Sequence, residues 1–245
     1  MFDLIILVTA AFAGGVLNAL AGGGSFLTLP ALIYVGVPPV AANATGTLAL
    51  LPGYLASAWG FRADLRNAKR SNLTLLLIMG AIGGALGAAL LLLTSDSLFR
   101  ALVPWLLLAA TVLFAAGPSI LKLAGGKTPG TYVSAGGVLL ACCYGGYFNG
   151  GLGILLLAVF ALLGMRNLNL MNGLKNLLSF ELTLIAVGIY IAGGAIAWRE
   201  ALTMMISATA GGYVGARWAY RIPAARLRAF IVLVGVVMAG LFFWH

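Results

Sequence analysis

Polar side chains able to hold a small solute stand at matched places in an otherwise apolar chain. In residues 14–26, Asn18 and Ser25 bracket Gly22, Gly23 and Gly24. In residues 145–153, Asn149 stands beside Gly150 and Gly151. Asn18 aligns with Asn149, and Gly22 with Gly153. Successive glycines are a poor helix interior and permit tight turns, so each stretch predicts a helix, a break and a short second helix. Ser25 is a good N-cap for the segment that follows the first break. A helix N-terminus inside apolar sequence presents N–H groups and partial positive charge, which suits an anion. Two such breaks in corresponding parts of a chain point to a transporter site between repeats.

The helix after each break carries a polar stripe. Asn43, Thr47, Leu50, Tyr54 and Ser57 follow steps of four, three, four and three, and Asn172, Asn176, Ser179 and Thr183 follow four, three and four. These spacings put each set on one helical face. Adding 129 carries positions 43, 47, 50 and 54 onto 172, 176, 179 and 183. Polar stripes in lipid face protein or water. They either bond neighbouring helices or line a solute path across the repeat axis. Lys175 lies about 60° from Asn172 on an ideal wheel. It is either a snorkelling anchor or a ligand that adds full positive charge. Glu181 is an acid deep in an apolar segment, about 180° from the Asn172 stripe. Such a residue needs a partner or a proton, so it is a candidate for proton coupling or for a structural bond to a neighbouring helix. Its first-half equivalent is Pro52.

Other chemistry is poorly supplied. The single histidine is the last residue, His245, which argues against histidine catalysis and most transition-metal sites. The two cysteines, Cys142 and Cys143, are adjacent in apolar sequence and read as packing. No catalytic residue, metal or cofactor is expected. The chain is 62% hydrophobic and 8% charged, against about 25% charged in soluble domains. It is therefore an integral membrane protein. The net charge is +9, with basic clusters at Arg62, Arg66, Lys69 and Arg70 and at Arg217, Arg221, Arg226 and Arg228. These flank apolar segments, so they read as cytoplasmic anchors and not as a nucleic-acid surface. Ala19-Leu20-Ala21 resembles a signal-peptidase site, but Asp3 stands where a positive n-region is needed, and no cleavage is expected.

The elements that must position these residues follow from hydropathy. Apolar segments cover about 4–21, 25–37, 40–60, 72–94, 98–117, 131–149, 151–165, 168–192, 200–216 and 227–244. A span needs about 20 residues, so 25–37 and 151–165 are short and pair with the segment before each as a hairpin. With the arginines inside, each half is a hairpin plus three spans, and the halves are inverted. The fold expected is an all-α polytopic membrane protein of two inverted repeats. Repeat 1 covers about 1–120, a Gly/Pro linker 121–130, and repeat 2 about 131–245, with both termini outside. Gly83, Gly84 and Gly87 match Gly211, Gly212 and Gly215, a spacing for close helix packing.

These residues resemble the sulfite exporter TauE/SafE family of membrane permeases. The likeness rests on residues 15–25 with Pro30, Gly36 and 42–47, and on Gly60-Phe61-Arg62-Ala63-Asp64-Leu65-Arg66 leading to 83–87. In the second half it rests on the weaker copy at 145–153 and on Ala197-Trp198-Arg199-Glu200-Ala201 leading to 211–215 and Arg217. The resemblance implies a bacterial inner-membrane protein that exports sulfite or organosulfonates with the proton gradient. One departure is that Ile154 and Leu155 follow the second glycine cluster where the first has Ser25, so the two caps are not equivalent. The site expected is backbone N–H groups of Gly22, Gly23, Gly24, Gly150 and Gly151 around the anion. Asn18, Ser25, Asn43, Thr47, Asn149, Asn172 and Asn176 add hydrogen bonds, Lys175 adds charge, and Glu181 couples the proton. Opposed helix N-termini favour a sulfonate or a sulfite dianion. One repeat would rock against the other, in a monomer or homodimer whose partners are the anion and lipid. The alternatives are a passive anion channel and a membrane assembly or binding protein.

Overall fold

The computed structural model describes residues 2–66, 70–123, 131–218 and 224–244. They form eleven helices and no strand: α1 (Phe2–Ala21), α2 (Ser25–Tyr34), α3 (Pro39–Gly60), α4 (Arg62–Leu65), α5 (Arg70–Leu93), α6 (Asp96–Leu123), α7 (Thr131–Tyr147), α8 (Leu152–Leu162), α9 (Leu168–Ala192), α10 (Trp198–Trp218) and α11 (Ala224–Trp244). Ten match the apolar segments read from hydropathy. The short α4 was not foreseen. Residues 124–130 of the expected linker, together with Lys69, Lys127, Arg221 and His245, lie outside the described residues, as do the side chains of Arg70, Lys122, Arg217, Arg226 and Arg228.

Local sequence explains the helix ends. Pro39 opens α3, where its missing N–H costs nothing, and Asp96 at the start of α6 accepts from the Val40 N–H at 2.9 Å. Asn167 caps α9 by accepting from the N–H groups of Asn169 and Leu170. Gly36 after α2 and Gly164 after α8 take left-handed φ values of 91° and 78°. Beyond them, Val37 donates to the Leu32 carbonyl and Met165 to that of Phe160, both at 3.0 Å. This is one helix-ending turn used twice, 128 positions apart. At about 1.5 Å per residue, the 10 residues of α2 and 11 of α8 reach about half of a 30 Å hydrocarbon layer.

Phe2–Ala19, Leu73–Leu93 and Asn169–Ala192 are long and apolar enough to cross a membrane. Along α5, Ile78, Ile82, Leu86 and Leu90 are each exposed. Their step of four makes one outward stripe, as a lipid-facing helix requires. Arg62 donates to the Trp59 carbonyl at 3.1 Å and lies over the Trp59 ring, the pairing of an interfacial anchor.

The sequence halves interleave. α1 packs most extensively on α10, and α7 on α5, so each broken hairpin lies against a helix of the other half. α3 packs on α9, α6 on α11, α5 on α9 and α10 on α3. Exchanging α1 for α7, α2 for α8, α3 for α9, α5 for α10 and α6 for α11 carries this set of contacts onto itself.

The interior has two cores. One joins Val138 and Cys142 of α7, Leu152 and Phe160 of α8 and Leu174 and Leu178 of α9 to α5. The other joins α1, α2, α3 and α10 to α6 and α11. Glycine makes the tight crossings. A Cβ on Gly87 would overlap the Cys143 carbonyl oxygen, and one on Gly211 would overlap that of Phe12. The expected packing role of the 83–87 and 211–215 glycines is therefore the observed one. Cys142 and Cys143 are free thiols on that crossing.

Candidate functional site

The two glycine breaks meet. A Cβ built on Gly22 would lie 3.3 Å from the Gly153 Cα, and one on Gly153 would lie 3.5 Å from the Gly22 Cα. Both are buried. The backbone turns with φ of +76° at Gly22 and +78° at Gly151, a region that favours glycine. By conformation Gly22 therefore pairs with Gly151, which corrects the alignment of Gly22 with Gly153. The breaks also differ in length, 22–24 against 148–151, so Asn18 sits on α1 while Asn149 sits in the break itself.

Ser25 is not the N-cap. It is the first residue of α2, the cap position is Gly24 in a helical conformation, and no side chain bonds there. The first turn closes through Phe26 N–H to the Gly23 carbonyl and Thr28 N–H to that of Gly24, both at 3.2 Å. Ser25 is buried. At the second break, Ile154 and Leu155 donate to the Gly151 carbonyl.

A polar chain links the two asparagines. The Tyr54 hydroxyl donates to Asn149 Oδ1 at 3.0 Å, and the Asn18 side chain reaches the same hydroxyl. Tyr54 is on α3, Asn18 on α1 and Asn149 in the α7–α8 break. Asn18 and Asn149 are only 8% and 1% exposed. Each still has an atom without a partner, Asn18 Oδ1 and Asn149 Nδ2. Such groups are costly in an interior unless something else binds them.

Lys175 lies at the glycine contact. It is 7% exposed, and its Cδ lies 3.3 Å from a Cβ built on Gly153. A snorkelling anchor would put its ammonium group in water, whereas this stem runs along the glycine contact. Its first-half equivalent, 129 positions earlier, is Gly46, so one half supplies the cation.

The remaining expected residues divide by what they touch. Asn43 Nδ2 donates to the Tyr147 carbonyl at 3.0 Å, which ties α3 to the end of α7. Thr47 and Asn176 are buried on the facing helices α3 and α9, and Asn172 is half-buried. Gly23, Gly24 and Gly150 are buried; Tyr144 donates to the Gly150 carbonyl at 2.8 Å and Tyr190 to the Gly146 carbonyl. Backbone freed by the break is thus satisfied by protein, as a lipid environment demands. Glu181 turns away from the glycine contact. Its Oε2 lies 3.0 Å from a Cβ built on Gly80 of α5, beside Cys142; that oxygen is buried without a hydrogen-bond partner, on a side chain that is half-buried.

Sequence reasoning placed Tyr54 on the stripe but left it out of the site. A tyrosine among Asn and Thr at helical spacing was the signal that would have found it. Ser179 and Thr183 of the second stripe, and Thr28 outside both stripes, carry buried hydroxyls that lack partners. Tyr54→Phe should leave Asn18 and Asn149 unbridged and lower stability by about 1–3 kcal/mol. Thermal unfolding of the purified protein checks this, and an unchanged midpoint would remove the bridge from the account.

The pattern of the family described as "Sulfite exporter TauE/SafE" matches residues 6–242. A "Probable membrane transporter protein" of Haemophilus influenzae is 29% identical over 240 residues, covering 97% of this chain and 93% of its own. "Probable membrane transporter protein ORF9" of Sinorhizobium sp is 28% identical, covering 96% and 90%. "Probable membrane transporter protein YfcA" of Escherichia coli K12 is 25% identical, covering 96% and 87%. An all-helical multi-pass bundle with such relatives is a membrane transporter. The chain belongs to the sulfite exporter TauE/SafE family.

Proposed function

We propose that this transporter exports small sulfur-containing anions, sulfite or organosulfonates, coupled to protons, by alternating access across two inverted repeats. The observation that carries this reading is the contact of Gly22 with Gly153 beside the buried stem of Lys175. Two helix N-termini and one ammonium group there offer positive potential to an anion, and Asn149 Nδ2 offers a hydrogen bond. The chain lies in a bacterial inner membrane with both termini outside, an orientation that puts the exposed Arg62 and Arg66 inside.

The bodies that move are not the two sequence halves. Gly87 and Gly211 hold α5 to α7 and α10 to α1 at backbone contact, so rocking one half against the other would break the tightest crossings. The units that fit are α1–α2–α10 and α5–α7–α8, sliding along the α3–α9 interface. Glu181, at the α5–α9 contact, sits where such sliding changes its surroundings, which suits proton coupling.

The test is transport in proteoliposomes under an imposed pH gradient. Accumulation of sulfite or a sulfonate against its own gradient is expected, with Glu181→Gln uncoupling it from protons. Equilibration without accumulation would indicate a passive channel. Unchanged coupling in Glu181→Gln would return that residue to a structural role.

A further inference from the structure

Tyr54 has one hydroxyl hydrogen and stands between two side-chain amides. It donates to Asn149 Oδ1 at 3.0 Å, and the Asn18 side chain is its second hydrogen-bonding neighbour. One amide therefore turns its carbonyl to the hydroxyl and the other turns its NH2. What remains is one free carbonyl and one free NH2, here Asn18 Oδ1 and Asn149 Nδ2. Flipping both amides exchanges the owners and preserves the count. Turning both NH2 groups inward strands the hydroxyl hydrogen, and turning both carbonyls inward sets two acceptors on one hydrogen.

The site thus offers an acceptor as well as donors, and both atoms are buried. A bare dianion has only acceptor oxygens, and would set one of them against the free carbonyl. It would also leave net negative charge beside Lys175, the one buried cation among the described residues, which is unfavourable. A monoanion that carries its own hydrogen satisfies the carbonyl and balances Lys175.

We propose that the anion recognised here carries one negative charge and its own hydrogen-bond donor: a singly protonated oxyanion such as bisulfite, or a sulfonate bearing a hydroxyl group. This rests on the sulfur-anion reading above and narrows it from the dianion that helix ends alone favour.

The test is equilibrium binding to the purified full chain by titration calorimetry at one pH. The probes are 2-hydroxyethanesulfonate, 1-propanesulfonate and sulfate. The first two match in charge and closely in size, and differ in the donor. The hydroxyl-bearing probe should bind at least about tenfold tighter than propanesulfonate, because a site that hydrogen-bonds a hydroxyl discriminates against an analogue lacking it. Sulfate should bind no better than propanesulfonate. In Asn18→Ala the preference for the hydroxyl should shrink to within about twofold, since the second amide is gone. Equal affinities of the two sulfonates for the unmodified protein, or tightest binding of sulfate, would overturn the proposal. Failure of both sulfonates to bind would overturn the sulfur-anion reading and this proposal with it.

Discussion

Lys175→Met should abolish transport while leaving the fold at least as stable as before. The two halves of this expectation come from one observation. Lys175 is 7% exposed and its stem lies on Gly153. A buried charge without a buried counter-charge opposes folding, and methionine fills a similar volume with no charge. The thermal midpoint should therefore hold or rise. The anion, by contrast, would lose its cation in a desolvated site. Charge-assisted bonds are worth about 1.5–3 kcal/mol, and about 2.8 kcal/mol corresponds to a hundredfold. Transport at subsaturating substrate should fall by about a hundredfold or more. Near-normal transport in Lys175→Met would remove the cation from the site.

Gly87→Val should fail to assemble. The atom that a Cβ would strike is the carbonyl oxygen of Cys143 on the neighbouring helix, and backbone cannot swing aside as a side chain can. Overpacking in ordinary cores costs about 1–3 kcal/mol; here two helices must separate, and a loss above that range is expected. Gly211→Val should behave the same way, through Phe12 of α1. The matched control is Gly188→Ala on α9, where nothing lies within 4 Å of the new atom. Alanine there should hold or raise stability by about 0.5–1 kcal/mol. Size-exclusion profiles and thermal midpoints of the three variants check the pair of claims. A monodisperse, stable Gly87→Val protein would mean that α5 and α7 are not in backbone contact.

What the sequence made legible was whatever repeats. Lipid demands long apolar helices, so segment bounds could be read from hydropathy to within a few residues at most ends. Paired glycine breaks and polar stripes at an offset of 129 led to Asn18 and Asn149, which Tyr54 links, and to Lys175, whose stem lies at Gly153. What was not legible depends on how helices pass each other. The interleaving of the halves needs to know that Gly87 meets Cys143 and Gly211 meets Phe12, and no local pattern carries partner identity. The break conformations were misread at Ser25, because a good capping residue is not obliged to cap when the preceding glycine already takes a helical φ and ψ of −57° and −37°. Tyr54 was missed because its role comes from two side chains 36 and 95 positions away in sequence. Asn43 reads as a solute ligand from its stripe, and the tie that its Nδ2 also makes to the Tyr147 carbonyl could not be read there.

The central claim is that the anion sits where the two broken helices touch. The most direct measurement is anomalous scattering from crystals soaked with hydrogenselenite, a heavier stand-in for bisulfite. The account predicts one selenium peak within hydrogen-bonding reach of Lys175 and Asn149, beside Gly22 and Gly153, and no such peak in Lys175→Met. A peak elsewhere, such as the cavity of about 380 Å³ between Val35–Pro38 and Gly194–Ala197, with that contact empty, would contradict it.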